Sequence, residues 1–165
     1  LVKTSRLETG MLALCPTPNP VGPMLEEAVA QFAPGAAEKG LTLTLVPTGA
    51  AARFDPKWTE EAVCNLLDNG VKYTPAGGRI RIYGDGETVV IADSGIGIRE
   101  EDLPRVFEKG FTGYNGREDR KSTGIGLYLC RRVMDRLNHS ISIVSRPGQG
   151  TLVRLDLSRG NRVVE

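Results

Sequence analysis

Histidine and tryptophan each occur once, at His139 and Trp58, and aromatic residues make up only 5% of the chain. There are three cysteines, Cys15, Cys64 and Cys130, odd in number and far apart. Such a set forms no disulfide framework and no metal-binding spacing, and it points to a reducing, cytoplasmic compartment. The formal net charge is +1. No strong field is available to hold nucleic acid or a membrane surface, so no nucleic-acid partner is expected. No apolar run is long enough to span a bilayer, and no signal peptide is visible. The phosphate loop Gly-x-x-x-x-Gly-Lys-Ser/Thr is missing. So is Gly-x-Gly-x-x-Gly after a strand, because Gly95-Ile96-Gly97 runs on into Arg99-Glu100. No protein-kinase catalytic-loop signature occurs. The chain opens on Leu1 rather than Met, which suggests a piece excised from a longer protein.

What is present fits one globular domain. Of 165 residues, 40% are hydrophobic and 25% charged, ordinary values for a chain with a real core. Residues 1–14 read as a short helix remnant. Pro16, Pro18, Pro20 and Pro23 then mark a linker over 16–23, since proline disrupts regular elements. Helical spacing of Leu25, Ala28, Val29 and Phe32 predicts a helix over 24–39, kinked or split at Pro34-Gly35. Alternation over 41–46 predicts a half-buried strand, and residues 50–55 offer another. Asp55-Pro56 is a helix start, with Asp as N-cap and Pro at the first helical position. That helix stops near Thr74-Pro75. Two strands over 79–83 and 88–92 flank Gly84-Asp85-Gly86-Glu87, a hairpin signal. Residues 99–123 are too long for a passive connection. A helix follows from Gly124-Ile125-Gly126 to about Leu137, then strands over 141–145 and 151–157. The expected fold class is α/β, a mixed and mostly antiparallel sheet of about five strands with helices on one face.

The helix over 58–73 carries the first chemical signal. At about 100° per residue, Asn65, Asn69, Lys72 and Tyr73 share one side, while Val63, Leu66, Leu67 and Gly70 share another. Amide oxygens one turn apart suit a hard cation, and a neighbouring lysine suits a phosphate. A surface helix with solvated polar residues gives the same pattern. Asp93-Ser94-Gly95-Ile96-Gly97 ends a strand at a tight turn, where a carboxylate can accept from an exocyclic amine and glycines let a ligand approach. An ordinary turn would also use Asp there. Ser122-Thr123-Gly124-Ile125-Gly126 opens a helix whose free N–H groups suit an anion, or simply cap it.

Taken in order, these motifs, the Phe-containing segment Phe107 to Gly113 and the final Gly148-Gln149-Gly150-Thr151 resemble the ATP-binding domain of bacterial sensor histidine kinases. That domain belongs to the GHKL superfamily and has the Bergerat fold, a two-layer sandwich of sheet and three helices with a long ATP lid. The resemblance spans about residues 24–158. Phe107 to Gly113 and Lys121 to Leu129 are similar to the Gram-positive branch that senses envelope stress and peptide antibiotics. Ser5-Arg6-Leu7-Glu8 resembles the end of a dimerisation helix. The implied domains are a dimerisation remnant at 1–15, the linker, the catalytic domain at 24–160 with its lid at about 99–123, and a tail at 161–165.

The resemblance implies ATP or ADP with Mg2+ as ligands. Asn69 would coordinate Mg2+, with Asn65 close by; Lys72 would contact phosphate and Tyr73 the adenine region. Asp93 would accept from the adenine amine, with Gly95, Gly97 and Ile98 shaping the base pocket. Gly124, Gly126 and Leu127 would line the phosphates, and Thr151 the base. Asn65, Asn69, Lys72 and Lys109 would act in phosphoryl transfer to a histidine on a separate dimerisation domain. A response regulator would be the next partner. The fragment would be monomeric and its parent a homodimer anchored in the membrane.

Three features depart from that family. Gly70 stands where alanine is usual, at a helix cost of about 1 kcal/mol. The lid arginine is replaced by Thr112, leaving Lys109, Arg117 or Lys121 as substitutes. His139 lacks the acidic neighbour of a phosphoacceptor and reads as structural or solvent-exposed. Trp58 reads as packing, and Arg117 to Lys121 as a solvated stretch. Asn138-His139-Ser140 matches a glycosylation acceptor by chance. The alternatives are a GHKL ATPase, an anti-sigma-type serine kinase and a non-catalytic nucleotide sensor. The ATPase would need a glutamate where Asn65 stands, and Glu61 lies a further turn away.

Overall fold

Alternating apolar and polar residues build the sheet that everything else rests on. A computed structural model describes residues 13–110 and 126–158. In Arg79–Asp85 (β4) the side chains of Ile80 and Ile82 are fully buried while Arg79 and Arg81 face out. The hairpin partner Thr88–Asp93 (β5) runs antiparallel to it, with Ile82 opposite Ile91. Gly150–Asp156 (β7) pairs antiparallel with β5 and with the edge strand Ser140–Arg146 (β6). Thr42–Leu45 (β2) adds on the far side of β4 in parallel, so the order is β2-β4-β5-β7-β6. This is the mixed, mostly antiparallel, five-stranded sheet that the sequence led us to expect.

Three α-helices among the described residues join this sheet in one hydrophobic core. Val21–Lys39 (α1) buries Val21, Met24, Leu25 and Ala28, the spacing of a helix with one apolar stripe. Gly40 closes it at a φ of 83°, the left-handed conformation that favours glycine after a helix. Pro56–Tyr73 (α2) buries Trp58, Ala62, Val63, Leu66, Leu67 and Gly70. Its N-cap is Asp55, whose Oδ1 accepts the Trp58 N–H at 2.9 Å, a contact of about 1 kcal/mol. Gly126–Arg136 (α3) buries Leu129, Cys130, Val133 and Met134.

Two expectations are corrected. Residues 16–23 are not a linker: Thr17–Pro20 (β1) pairs antiparallel with Ala51–Phe54 (β3), and α1 begins at Val21. Proline is tolerated on an isolated two-stranded edge and in the first turn of a helix, where its missing N–H would have no partner anyway. Nor is α1 split, because it runs on through Pro34 to Lys39. Pro34 and Gly35 are both exposed, so water can serve the carbonyl that the proline leaves without a helical donor. Residues 1–12 of the dimerisation remnant expected at 1–15, and the tail at 161–165, lie outside the described residues.

Candidate functional site

Helix α2 presents the first part of the site. Asn65 and Asn69 lie toward the start of α3: a Cβ placed on Gly126 would stand 3.8 Å from the Asn65 Cβ and from both terminal atoms of the Asn69 amide. Asn65 Nδ2 is buried and has no hydrogen-bond partner among the described residues. An unmet buried donor costs about 1–3 kcal/mol, so the position favours an acceptor from beyond the described residues. Lys72 is paired with Asp68 at 3.2 Å, one helical turn back, and both side chains keep substantial exposure. Such an exposed pair is weak and leaves the ammonium able to swing to another anion. Asp68 was not singled out from the sequence.

The turn after β5 supplies the second part. Asp93 Oδ1 accepts the Gly95 N–H at 2.8 Å and the Thr151 N–H at 3.3 Å. Both bonds fall on one oxygen, and the other carboxylate oxygen has no partner among the described residues. Burial pushes the Asp93 carboxyl above its ordinary range, and the two N–H bonds pull part of that shift back. The turn is fastened to its neighbours on three sides. Ile96 donates to the Tyr73 carbonyl at the end of α2, Gly148 donates to the Ile96 carbonyl, and Ile98 donates to Ser145 Oγ at 2.8 Å. Gly97 has a φ of 77° and packs directly against the Arg146 carbonyl. Gly95 is equally confined, since a Cβ there would stand 2.5 Å from the Tyr73 oxygen. These two glycines let the turn nest between α2 and the β6–β7 connection.

Thr151 Oγ1 lies 2.8 Å from Ser145 Oγ, whose own hydroxyl also reaches the Gly150 carbonyl at 2.9 Å. Ser145 therefore ties Ile98, Gly150 and Thr151 together. It was not among the expected residues, because a serine in an alternating strand carries no distinguishing signal.

Beyond Ile98 the chain makes a 3₁₀ helix at Glu100–Arg105. Lys109 Nζ lies 5.6 Å from the centre of the Tyr128 ring, and the Arg131 guanidinium lies 5.0 Å from that of Phe107. These cation–π contacts hold the stem of the long connection against α3. Leu127 is half-buried and packs against the core. Gly124, Thr112, Arg117 and Lys121 lie outside the described residues.

The sole histidine is buried at 3% exposure, with its Nε2 3.1 Å from the Arg53 carbonyl. That rules out the solvent-exposed alternative and leaves a structural role. Trp58 is 7% exposed and belongs to the core. Gly70 faces the sheet closely: a Cβ there would meet Ile80 Cδ1 at 3.3 Å. No group of three or more His, Cys, Asp or Glu side chains able to hold a metal occurs among the described residues. No helix among them is long and apolar enough to cross a membrane.

One junction thus gathers the C-terminal half of α2, the Asp93 turn, Thr151 and the start of α3. Known proteins resemble the chain in sequence and in fold. A family described as "Histidine kinase-, DNA gyrase B-, and HSP90-like ATPase" matches residues 54–161. The chain belongs to that ATPase family, as an ATP-binding catalytic domain of the sensor histidine kinase type. Sensor histidine kinase YxdK of Bacillus subtilis is 40% identical over 105 residues, covering 61% of this chain and 32% of that protein. Sensor protein BceS of Halalkalibacterium halodurans is 38% identical over 131 residues, covering 77% and 39%. The chain thus spans about a third of the length of these relatives. Among solved structures, the catalytic domain of histidine kinase ThkA superposes with a TM-score of 0.74 at 21% identity, covering 86% of this chain and 96% of that one. The mycobacterial sensor histidine kinase MprB gives 0.70 at 23% identity, covering 84% and 95%. The structural matches share the two-layer sandwich of sheet and helices.

Proposed function

We propose that the junction binds Mg-ATP and that the parent protein passes the γ-phosphoryl group to a histidine on its dimerisation domain. The observation that carries this reading is the Asp93 carboxylate. One of its oxygens is occupied by two backbone donors, and the other is left to accept from a ligand amine. Adenine offers such an amine. Gly95, Gly97, Ile98, Thr151 and Tyr73 would surround the base. Lys72, Asn65 and the N–H groups at Gly124, Gly126 and Leu127 would receive the phosphates, and the unmet Asn65 amide suits a phosphate oxygen. The Asn69 amide oxygen is the chain's own hard ligand for Mg2+, which binds through few protein groups and many phosphate oxygens. The ion would neutralise charge on the phosphates and orient them. A full-length relative by fold, ShkA, is described in complex with AMPPNP.

Phosphoryl transfer needs chiefly positioning and charge neutralisation. Asn65, Asn69 and Lys72 supply these, with Lys109, which stands over the Tyr128 ring of α3, as the lid cation. The acceptor is not in this chain, because its sole histidine is buried on a backbone carbonyl. Hydrolysis is disfavoured because Asn65, an amide, stands where a water-activating glutamate would be needed. By the same reading the parent is a membrane-anchored homodimer with this domain in the cytoplasm, it serves a response regulator, and it senses envelope stress or peptide antibiotics. The test is incubation with γ-labelled Mg-ATP, alone and with the parent's dimerisation domain. Label should appear only on the dimerisation domain. Label on His139, or steady release of phosphate by the chain alone, would overturn the reading.

A further inference from the structure

We infer that Lys39 is a positioning residue for the nucleotide site, holding the last turn of α2 in place from the end of α1. The inference rests on the nucleotide-binding reading above. Helix α2 ends at Tyr73, and Pro75 follows after one residue. The Val71 carbonyl would ordinarily receive the N–H of residue 75, and proline has none. Lys39 fills that gap. Its Nζ donates to the Val71 carbonyl at 2.6 Å and to the Lys72 carbonyl at 2.9 Å. The next carbonyl, that of Tyr73, accepts the Ile96 N–H at 3.0 Å. Three successive carbonyls at the end of α2 are thus held from outside the helix, two by Lys39 and one by the Asp93 turn. The ammonium also sits at the negative end of the helix dipole. Beside it, the Gly77 N–H donates to the Gly40 carbonyl at 2.9 Å, which closes the corner between α1 and the start of β4.

That turn of α2 carries Lys72 and Tyr73, the residues assigned to phosphate and to the base region. Without Lys39 two carbonyls turn to water, and the turn loosens where it meets Ile96. Lys72, Tyr73 and the Asp93 turn would then no longer be presented in a fixed relation. Misplacement of binding groups by a fraction of an ångström is costly to a ligand that spans them. A cap that served only stability would lower the melting temperature and leave the affinity of the folded protein unchanged.

The experiment is a calorimetric titration of ADP into the unmodified chain, Lys39→Met, Lys39→Arg and Asp55→Ala. It is run at a temperature where each is folded by circular dichroism. Asp55→Ala removes the cap at the opposite end of the same helix and reports general destabilisation. Lys39→Met should weaken ADP about tenfold. Lys39→Arg, which keeps a donor and a charge, should stay within about threefold. Asp55→Ala should bind as the unmodified chain does. Equal affinity for Lys39→Met and the unmodified chain overturns the inference, as does a loss no larger than that of Asp55→Ala. If Lys39→Met does not fold, Lys39→Gln takes its place under the same criteria. Failure of the unmodified chain to bind ADP is a different result, which removes the nucleotide-binding reading itself.

Discussion

Asp93→Asn separates binding from stability at one atom. The carboxylate uses Oδ1 for the Gly95 and Thr151 N–H groups, and an asparagine can keep both bonds with its amide oxygen. Its NH2 then stands where the second carboxylate oxygen was and meets the adenine amine donor to donor. Losing a hydrogen bond to a charged acceptor costs about 1.5–3 kcal/mol, so affinity should fall about 10- to 150-fold. Stability should move the other way. The native carboxyl pKa is raised above its ordinary value of 3.8, chiefly by burial. Between the unfolded and native values the native state binds more protons, so stability falls as pH rises through that window. At neutral pH the buried charge is therefore a cost, and the neutral amide removes it. Titration of ADP combined with urea unfolding at pH 7 should give a variant that binds poorly and is at least as stable as the unmodified chain. Unchanged affinity would refute the assignment of adenine to Asp93. Lost affinity with a large loss of stability would show that the carboxylate is a structural element of the turn.

Other substitutions probe the frame around that atom. Gly97→Ala forces a side chain into a φ of 77° and against the Arg146 carbonyl. It should cost more than about 2 kcal/mol in urea unfolding, and a loss under about 1 kcal/mol would mean that the turn has room to shift. For Gly70→Ala, the helix gains about 1 kcal/mol, while the new methyl meets the Ile80 Cδ1 at 3.3 Å. Because a terminal methyl can yield by a few tenths of an ångström, urea unfolding should show a net gain of about 0–1 kcal/mol, and a net loss would show that Ile80 cannot move. Thiol reactivity should follow exposure. Cys15 is exposed, Cys130 is fully buried, and burial with nearby glutamates pushes the Cys64 thiol up to about 11. Iodoacetamide at pH 7.5 should label Cys15 first in the folded chain, as read by peptide mass mapping, and faster labelling of Cys64 would contradict its packing.

Local signals were legible and distant ones were not. The alternation at Ile80 and Ile82, the hairpin glycines and the Asp55-Pro56 start each act over a few residues, and each appears where expected. The amides at 65 and 69 share a face because they lie one helical turn apart. What could not be read depends on partners far along the chain. Pro18 and Pro20 looked like linker punctuation because their pairing with Arg53 and Ala51 is set by the fold. Lys39 meets α2 across more than thirty residues, and nothing in its neighbours marks it. Ser145 owes its role to three groups brought together at the β6–β7 turn. Gly70 reads only as a weak point in an isolated helix, and its close approach to Ile80 is set by the fold.

The most direct measurement is a crystal structure of this chain grown with AMPPNP and Mg2+. The adenine amine should donate to the free oxygen of Asp93 at about 2.7–3.2 Å, with the phosphates between Asn65, Lys72 and the start of α3, and the metal on Asn69. A nucleotide whose base lies away from Asp93, or whose metal has no contact with α2, would contradict the site.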